Sequence, residues 1–134
     1  EFATLFGYAF QLTNIIRDVG ADLELGRIYI PASDMQEAGY REKSLLLREQ
    51  SAAFDRLMNI LYRRARTYYR RARSLVDFRD RPALLPAEVM AHIYEALLED
   101  IRAGGFRVLF HRHRLPSWRK AVLAGKAWLY CHGL

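Results

Sequence analysis

From Leu5 to Ile16 the chain is apolar almost all the way round a helix, and out of the end of that stretch come Asn14, Asp18 and Asp22, one every four residues. A helix that is apolar on every side is a buried one, so the rest of the chain has to fold around it. The carboxylates that emerge from it also have to find a suitable environment. Steps of four drift only about 40° around a helix axis, so the three side chains form one oxygen-bearing stripe about 12 Å long. Gln11 lies on the same side, three residues earlier. Carboxylates at i and i+4 repel each other unless a cation or a donor stands between them, and burying them without a counter-charge is costly. Carboxylate and amide oxygens are also what Mg²⁺ accepts while it holds substrate phosphates. Two solvated carboxylates on an outer helix face would be the simpler reading, but the apolar surroundings argue for a cavity wall suited to metal and diphosphate. Arg17 and Arg27 add positive charge nearby, and Gly26-Arg27-Ile28-Tyr29-Ile30-Pro31 ends the helix in an extended segment.

Helical spacing continues along the chain, and no segment alternates as a strand would. A first helix is expected over about Phe2 to Leu25. A short one opens near Ser33, where Ser33 and Gln36 fit a capping box, and closes at Gly39. A short turn spans Ser44 to Glu49, and a long helix runs from about Ser51 to Phe78 before Arg79-Asp80-Arg81-Pro82 breaks it. Ala87 to Ala103 forms another helix, ended by Gly104-Gly105. The last runs from Ser117 to about His132, with Trp118, Val122 and Trp128 on its apolar side. Glu95, Glu99 and Asp100 read as the wet side of their helix. The fold class is all-α, with residues 1–134 as a single domain.

The long helix is amphipathic. Phe54, Met58, Leu61, Ala65, Tyr68, Ala72 and Leu75 lie opposite Arg63, Arg64, Arg66, Arg70, Arg71 and Arg73, which read as a solvated basic face. The net charge of +6 suits an anionic partner. Surface solubility is the simpler reading of the arginines, and peripheral contact with a membrane is the alternative; nucleic acid is not expected as a partner. The single cysteine, Cys131, can form no internal disulfide, so a reducing, cytoplasmic compartment is the default. No apolar run approaches the roughly 18 residues that would span a bilayer. His92, His111, His113 and His132 form no recognisable zinc constellation, and neither a nucleophile elbow nor a glycine-rich phosphate loop is present.

The run Gln11-Leu12-Thr13-Asn14-Ile15-Ile16-Arg17-Asp18-Val19-Gly20-Ala21-Asp22, with Gly26-Arg27-Ile28-Tyr29-Ile30-Pro31 after it, closely resembles the second aspartate-rich motif of the squalene/phytoene synthase family. His92-Ile93-Tyr94-Glu95-Ala96-Leu97-Leu98, Gly105-Phe106-Arg107-Val108-Leu109, Leu115-Pro116 and Arg119-Lys120 are similar to the same family's C-terminal helices. Within the family the chain looks most similar to bacterial presqualene diphosphate and squalene synthases of hopanoid pathways. The resemblance implies the C-terminal half of the isoprenoid synthase helical fold, because the family's first aspartate-rich motif has no counterpart here. It implies Mg²⁺-dependent, head-to-head condensation of two farnesyl diphosphates to presqualene diphosphate, and onward to squalene. NADPH is implied only if squalene is the final product.

By the same resemblance Asn14, Asp18 and Asp22 hold metal, with Asp18 and Asp22 catalytic, while Gln11, Asn14, Arg17, Arg27, Tyr29, Tyr94 and Arg112 contact diphosphate or its surroundings. Phe6 and Phe10 would line a dry cavity. The missing N-terminal half is then a required partner, and the 134-residue chain alone is expected to be inactive. Two alternatives stand beside this reading: phytoene synthase acting on geranylgeranyl diphosphate, and a non-catalytic assembly protein, which would need none of these polar residues.

Overall fold

Phe54, Leu57, Met58, Leu61, Ala65, Tyr69 and Ala72 recur at helical spacing, and all are buried in the computed structural model, which describes all 134 residues. They belong to α5 (Ala52–Ser74), the longest of seven α-helices, against which three of the others pack. Before it come α1 (Phe2–Arg17), α2 (Val19–Glu24), α3 (Ala32–Ala38) and α4 (Glu42–Leu46); after a 3₁₀ segment at Phe78–Leu84 follow α6 (Leu85–Ala103) and α7 (Ser117–Cys131). There are no strands. The buried side of α1, formed by Leu5, Ala9, Leu12 and Ile16, lies along α5; α3 also packs on α5, and α6 bridges α1 and α7. Ser51 opens α5 as its cap, its side-chain oxygen accepting from the Phe54 amide at 3.2 Å. Deeper in the α1–α5 seam, the Thr13 hydroxyl donates to the Ala9 carbonyl at 2.8 Å and lies 2.9 Å from the Tyr69 hydroxyl, so a buried polar pair is satisfied.

Several elements differ from the sequence expectation. The first helix does not run through to Leu25. It breaks at Asp18, whose φ of −101° and ψ of 10° leave the helical region. The hydrogen-bond chain is carried across the break, from the Asp18 amide to the Asn14 carbonyl at 2.9 Å and from the Asp22 amide to the Asp18 carbonyl at 2.8 Å. The capping box at Ser33 and Gln36 does not form, because Pro31, with its ψ of 134°, already starts α3 at Ala32 and places Ser33 inside the helix. Tyr69, not Tyr68, faces the core, and Leu75 is exposed because α5 stops at Ser74. Trp118, Val122 and Trp128 are exposed, and the buried side of α7 is formed by Ala127 and Cys131 instead.

The basic face of α5 is not uniformly solvated, and the acidic side of α6 is not simply wet. Arg64 grips the buried Asp34 of α3 through two hydrogen bonds of 2.7 Å. Arg73 reaches Glu95 at 2.7 Å and Glu88 at 3.0 Å, and Arg66 reaches Glu95 at 3.3 Å. Glu99 accepts from the Tyr62 hydroxyl at 2.7 Å, and Asp100 pairs with Arg119 of α7 at 2.5 Å. The two helices carry complementary charge at the spacing where they meet, so what look like two separate wet faces in sequence are one seam. Arg63, Arg70 and Arg71 alone keep the solvated character expected of all six.

Glu88 is only 3% exposed, and its nearest cationic partner is Arg73 at 3.0 Å, with the His92 ring further off at 3.6 Å. Replacing Arg73 with Ala is expected to cost roughly 3–5 kcal/mol by stranding a buried carboxylate, whereas Arg63→Ala stays within about 0.5 kcal/mol. Urea denaturation of the two variants measures both, and equal midpoints would contradict the seam.

Candidate functional site

The break at Asp18 gives the oxygen stripe its geometry. Gln11, Asn14, Asp18, Asp22 and Tyr29 line one open cavity of about 450 Å³, together with Gly7, Phe10 and Ile15. A second cavity, of about 310 Å³, is lined by Arg17, Tyr94 and Arg112, joined by His113, Arg114 and Lys120. One cavity is lined by carboxylates, carboxamides and a phenol and holds no cationic side chain, whereas the other is strongly cationic. Asp18 lies between them. Arg17 donates to both of its carboxylate oxygens, at 2.7 and 2.9 Å, and Arg112 donates to Oδ1 at 3.2 Å. Consecutive side chains do not meet on a regular helix, so the Arg17–Asp18 contact is a product of the break.

Of the polar residues that the resemblance assigns to the site, Arg27 alone lines neither of these two cavities; it sits in a narrow recess with Asp22 and Tyr29, and its charge acts on Asp22. Phe10 borders the acidic cavity and meets Tyr94 with ring centroids 5.3 Å apart. Phe6 lines neither of the two cavities. It is buried in the α1–α5 core, 6.2 Å from the Tyr69 ring.

The two carboxylates have opposite electrostatic settings. Burial opposes ionisation of Asp18, but the Arg17 hydrogen bonds and the Arg17 and Arg112 charges outweigh it and hold this carboxyl below its ordinary value. Asp22 is pushed up, first by burial and then by the neighbouring Asp18 charge, with Arg27, Arg112 and Arg17 offsetting only part of the effect. Asp22 makes no ion pair, and the Asn14 Oδ1 is buried without a hydrogen-bond partner. A buried acceptor left unpaired is rare unless another ligand satisfies it. An orphaned amide oxygen, a raised and unpaired carboxylate and a second carboxylate one turn away form a donor set that fits a hard divalent cation. Mg²⁺ typically takes only one or two protein carboxylates and leaves its other positions to water and phosphate.

The loop carrying Arg112 is held in place by residues whose role the sequence does not reveal. The Gly20 amide donates to the Val108 carbonyl at 3.2 Å, and a Cβ on Gly20 would lie 2.7 Å from that oxygen and closer still to the Leu109 carbonyl oxygen. Only glycine allows this approach. Arg48 spans the junction, donating to the Leu109 carbonyl through Nη1 and to the Gly20 carbonyl through Nη2 at 3.2 Å. Nothing in the local pattern marks Arg48. Gly20, a poor helix former in the middle of a helical motif, is the one sequence signal of a close contact. In the cationic cavity, His113 is pushed below its ordinary pKa by burial and by the neighbouring His111, which favours its neutral form.

The protein is all-helical, with an acidic cavity beside a cationic one, and Asp18 of the first is bonded to Arg17 and Arg112, which line the second. Residues 1–121 match the family model for squalene/phytoene synthase, and the chain belongs to that family. It is 36% identical to the 15-cis-phytoene synthase of Synechocystis sp. over 129 residues, which cover 96% of this chain and 38% of that protein. It is 33% identical to the phytoene synthase of Thermus thermophilus over 129 residues, covering 95% of this chain and 44% of the relative. The match to the phytoene synthase of Arthrospira platensis is 33% over 122 residues, 91% of this chain and 40% of the relative. The chain thus spans about two-fifths of the length of these relatives.

Gly20→Ala is expected to destabilise the fold by roughly 1–3 kcal/mol through overpacking against the loop. Denaturant titration measures it, and a loss below about 0.5 kcal/mol, the range of a neutral surface change, would contradict the close approach.

Proposed function

We propose that this chain supplies one wall of an active site for head-to-head prenyl transfer, joining two geranylgeranyl diphosphates in a phytoene-type condensation. The observation that carries the chemistry is the unpartnered Asn14 Oδ1 beside Asp22, which makes no ion pair, with the cationic cavity on the other side of Asp18. The names of the relatives favour geranylgeranyl diphosphate over the farnesyl diphosphate and hopanoid-type product that the motif resemblance suggested.

In this reading the C–O bond of one allylic diphosphate breaks with both electrons leaving on diphosphate. The double bond of the second prenyl chain attacks the resulting cation and a proton is lost, leaving a joined C40 diphosphate; its own C–O bond then breaks with the electron pair leaving on the second diphosphate, the carbon skeleton rearranges, and loss of a second proton gives the hydrocarbon. Asn14, Asp18 and Asp22 would hold a divalent cation, which when bound would neutralise diphosphate charge. Arg17 and Arg112, with Tyr94, receive the departing anion in the cationic cavity, while Gln11 orients an oxygen and Arg27 and Tyr29 close the far end of the stripe. The apposed rings of Phe10 and Tyr94 keep water from the cation where the cavities meet. Ionisation between facing helices needs ligands from both walls, so the activity belongs to the whole protein, with this chain as its C-terminal half.

Three measurements on the whole protein test the reading. Asp22→Asn is expected to lower turnover by roughly 10²–10³-fold, the scale of a lost transition-state charge contact. Folding stability should not fall, because the raised pKa of Asp22 means that its charge opposes folding above the ordinary carboxyl value of 3.8. Full activity of this variant at limiting Mg²⁺ would overturn the metal assignment.

Mg²⁺ affinity is expected to decline as the pH falls through the raised Asp22 pKa, since the cation binds the ionised form and competes with the proton. Calorimetric titration at stepped pH measures this, and an affinity independent of pH down to 3.8 would contradict it. Finally, incubation with either diphosphate and Mg²⁺ should give a phytoene-type product from geranylgeranyl diphosphate. A product formed from farnesyl diphosphate alone would return the substrate to the squalene reading.

A further inference from the structure

Two residues that carry side chains adopt left-handed backbone, Arg48 at φ 53° and Phe106 at φ 54°. That conformation crowds a Cβ and suits glycine, so it persists only where the surroundings over-determine it. Both residues belong to one junction: Arg48 sits in the turn between α4 and α5, and Phe106 in the loop that follows α6. Packing accounts for Phe106, which is buried edge-on to Tyr62 with ring centroids 6.3 Å apart. Arg48 has no such account.

The nearest carboxylate to Arg48, that of Glu24, is 3.8 Å away, a loose pair of the kind that contributes little. Its closer partners are the Leu109 and Gly20 carbonyls, which its Nη1 and Nη2 bridge, with Cζ 5.7 Å from the centre of the Phe110 ring. A planar guanidinium holds several donors in a fixed fork, which an ammonium does not. The base of this fork is itself anchored. The Tyr40 hydroxyl donates to the Glu49 carbonyl at 2.8 Å, and Gln50 Nε2 reaches the Gly105 carbonyl at 3.4 Å, at the start of the same loop.

The two bridged carbonyls stand close to the site on either side. Gly20 is two residues past Asp18, and Leu109 is three residues before Arg112. Arg48 therefore ties together the two backbone segments whose side chains meet in the Arg112–Asp18 contact of 3.2 Å. That contact is the one hydrogen bond Arg112 makes, so the backbone beneath Arg112 decides where its guanidinium lies. Every partner in the brace belongs to this chain.

We propose that Arg48 is a positioning residue for Arg112: by tying the Gly20 and Leu109 carbonyls together it fixes the loop that carries Arg112, and so sets the hold of the cationic cavity on diphosphate. The last step rests on the reading of Arg112 as a diphosphate contact.

Arg48→Gly removes the fork while relieving the left-handed backbone, which separates the side chain's task from the strain of the turn. Calorimetric titration of the whole protein with inorganic diphosphate at constant Mg²⁺ should show about tenfold weaker binding in Arg48→Gly, but less than about a twofold further loss where Arg112 is already Ala, because a residue that acts through another loses its effect with it. Arg48→Lys keeps the charge without the fork and should also bind more weakly. Hydrogen exchange over residues 106–112 should quicken about tenfold in Arg48→Gly while α5 stays protected. An equal loss in both backgrounds, parent-like binding by Arg48→Lys, or unchanged exchange in the loop would overturn the inference. So would parent-like binding by Arg48→Gly when Arg112→Ala binds weakly. If Arg112→Ala itself binds diphosphate as the parent does, the reading of Arg112 fails instead, and the loop exchange still decides whether Arg48 fixes the loop.

Discussion

Asp18 joins the two halves of the site. Its carboxylate is held by Arg17 from its own helix junction and by Arg112 from a loop 94 residues further along the chain. Three charged groups gathered at a helix break would be unfavourable if any one were missing, because a half-buried carboxylate without cations is costly and two guanidinium groups without an anion repel. The break in α1–α2, the bare backbone at Gly20 and the Arg48 bridge all serve to place that loop against Asp18. The acidic cavity and the cationic cavity acquire their shared edge from this one contact.

The second constraint is the charged seam between α5 and α6. Arg73 and Arg66 on one helix meet Glu88, Glu95 and Glu99 on the other, and Arg119 fastens α7 to Asp100. This seam holds α6, and therefore Tyr94, at a fixed distance from α1. Tyr94 then meets Phe10 at the border of the two cavities. Packing and site geometry are coupled here, because Glu95 of the seam is next in sequence to Tyr94, which lines the cationic cavity.

The sequence was most informative where chemistry and periodicity coincide. The i, i+4 stripe of Asn14, Asp18 and Asp22 faces a cavity together with Gln11 and Tyr29, because apolar neighbours left those side chains no other side to face. On α5 the spacing found Phe54, Met58, Leu61, Ala65 and Ala72 of the buried side but missed Leu57, Tyr62 and Tyr69 and wrongly added Leu75. Pairings across elements were not legible. The arginines of α5 and the carboxylates of α6 each looked like solvated faces, since a helical wheel shows which residues share a side and not what packs against it. Trp118, Val122 and Trp128 misled in the opposite sense, because apolar character was equated with burial, yet soluble proteins expose much apolar surface. Arg48 acts through backbone carbonyls that only the folded chain brings within reach, so no pattern in the sequence could have singled it out.

If Asp18 makes the two cavities one site, ligands of opposite charge should bind them cooperatively. Calorimetric titration of the whole protein with inorganic diphosphate, with and without saturating Mg²⁺, and with Mg²⁺ in the presence and absence of diphosphate, measures the coupling in both directions. Each ligand should raise the affinity of the other by the same factor, about tenfold or more. Equal diphosphate affinity with and without Mg²⁺ would show two independent cavities and contradict a shared site at Asp18.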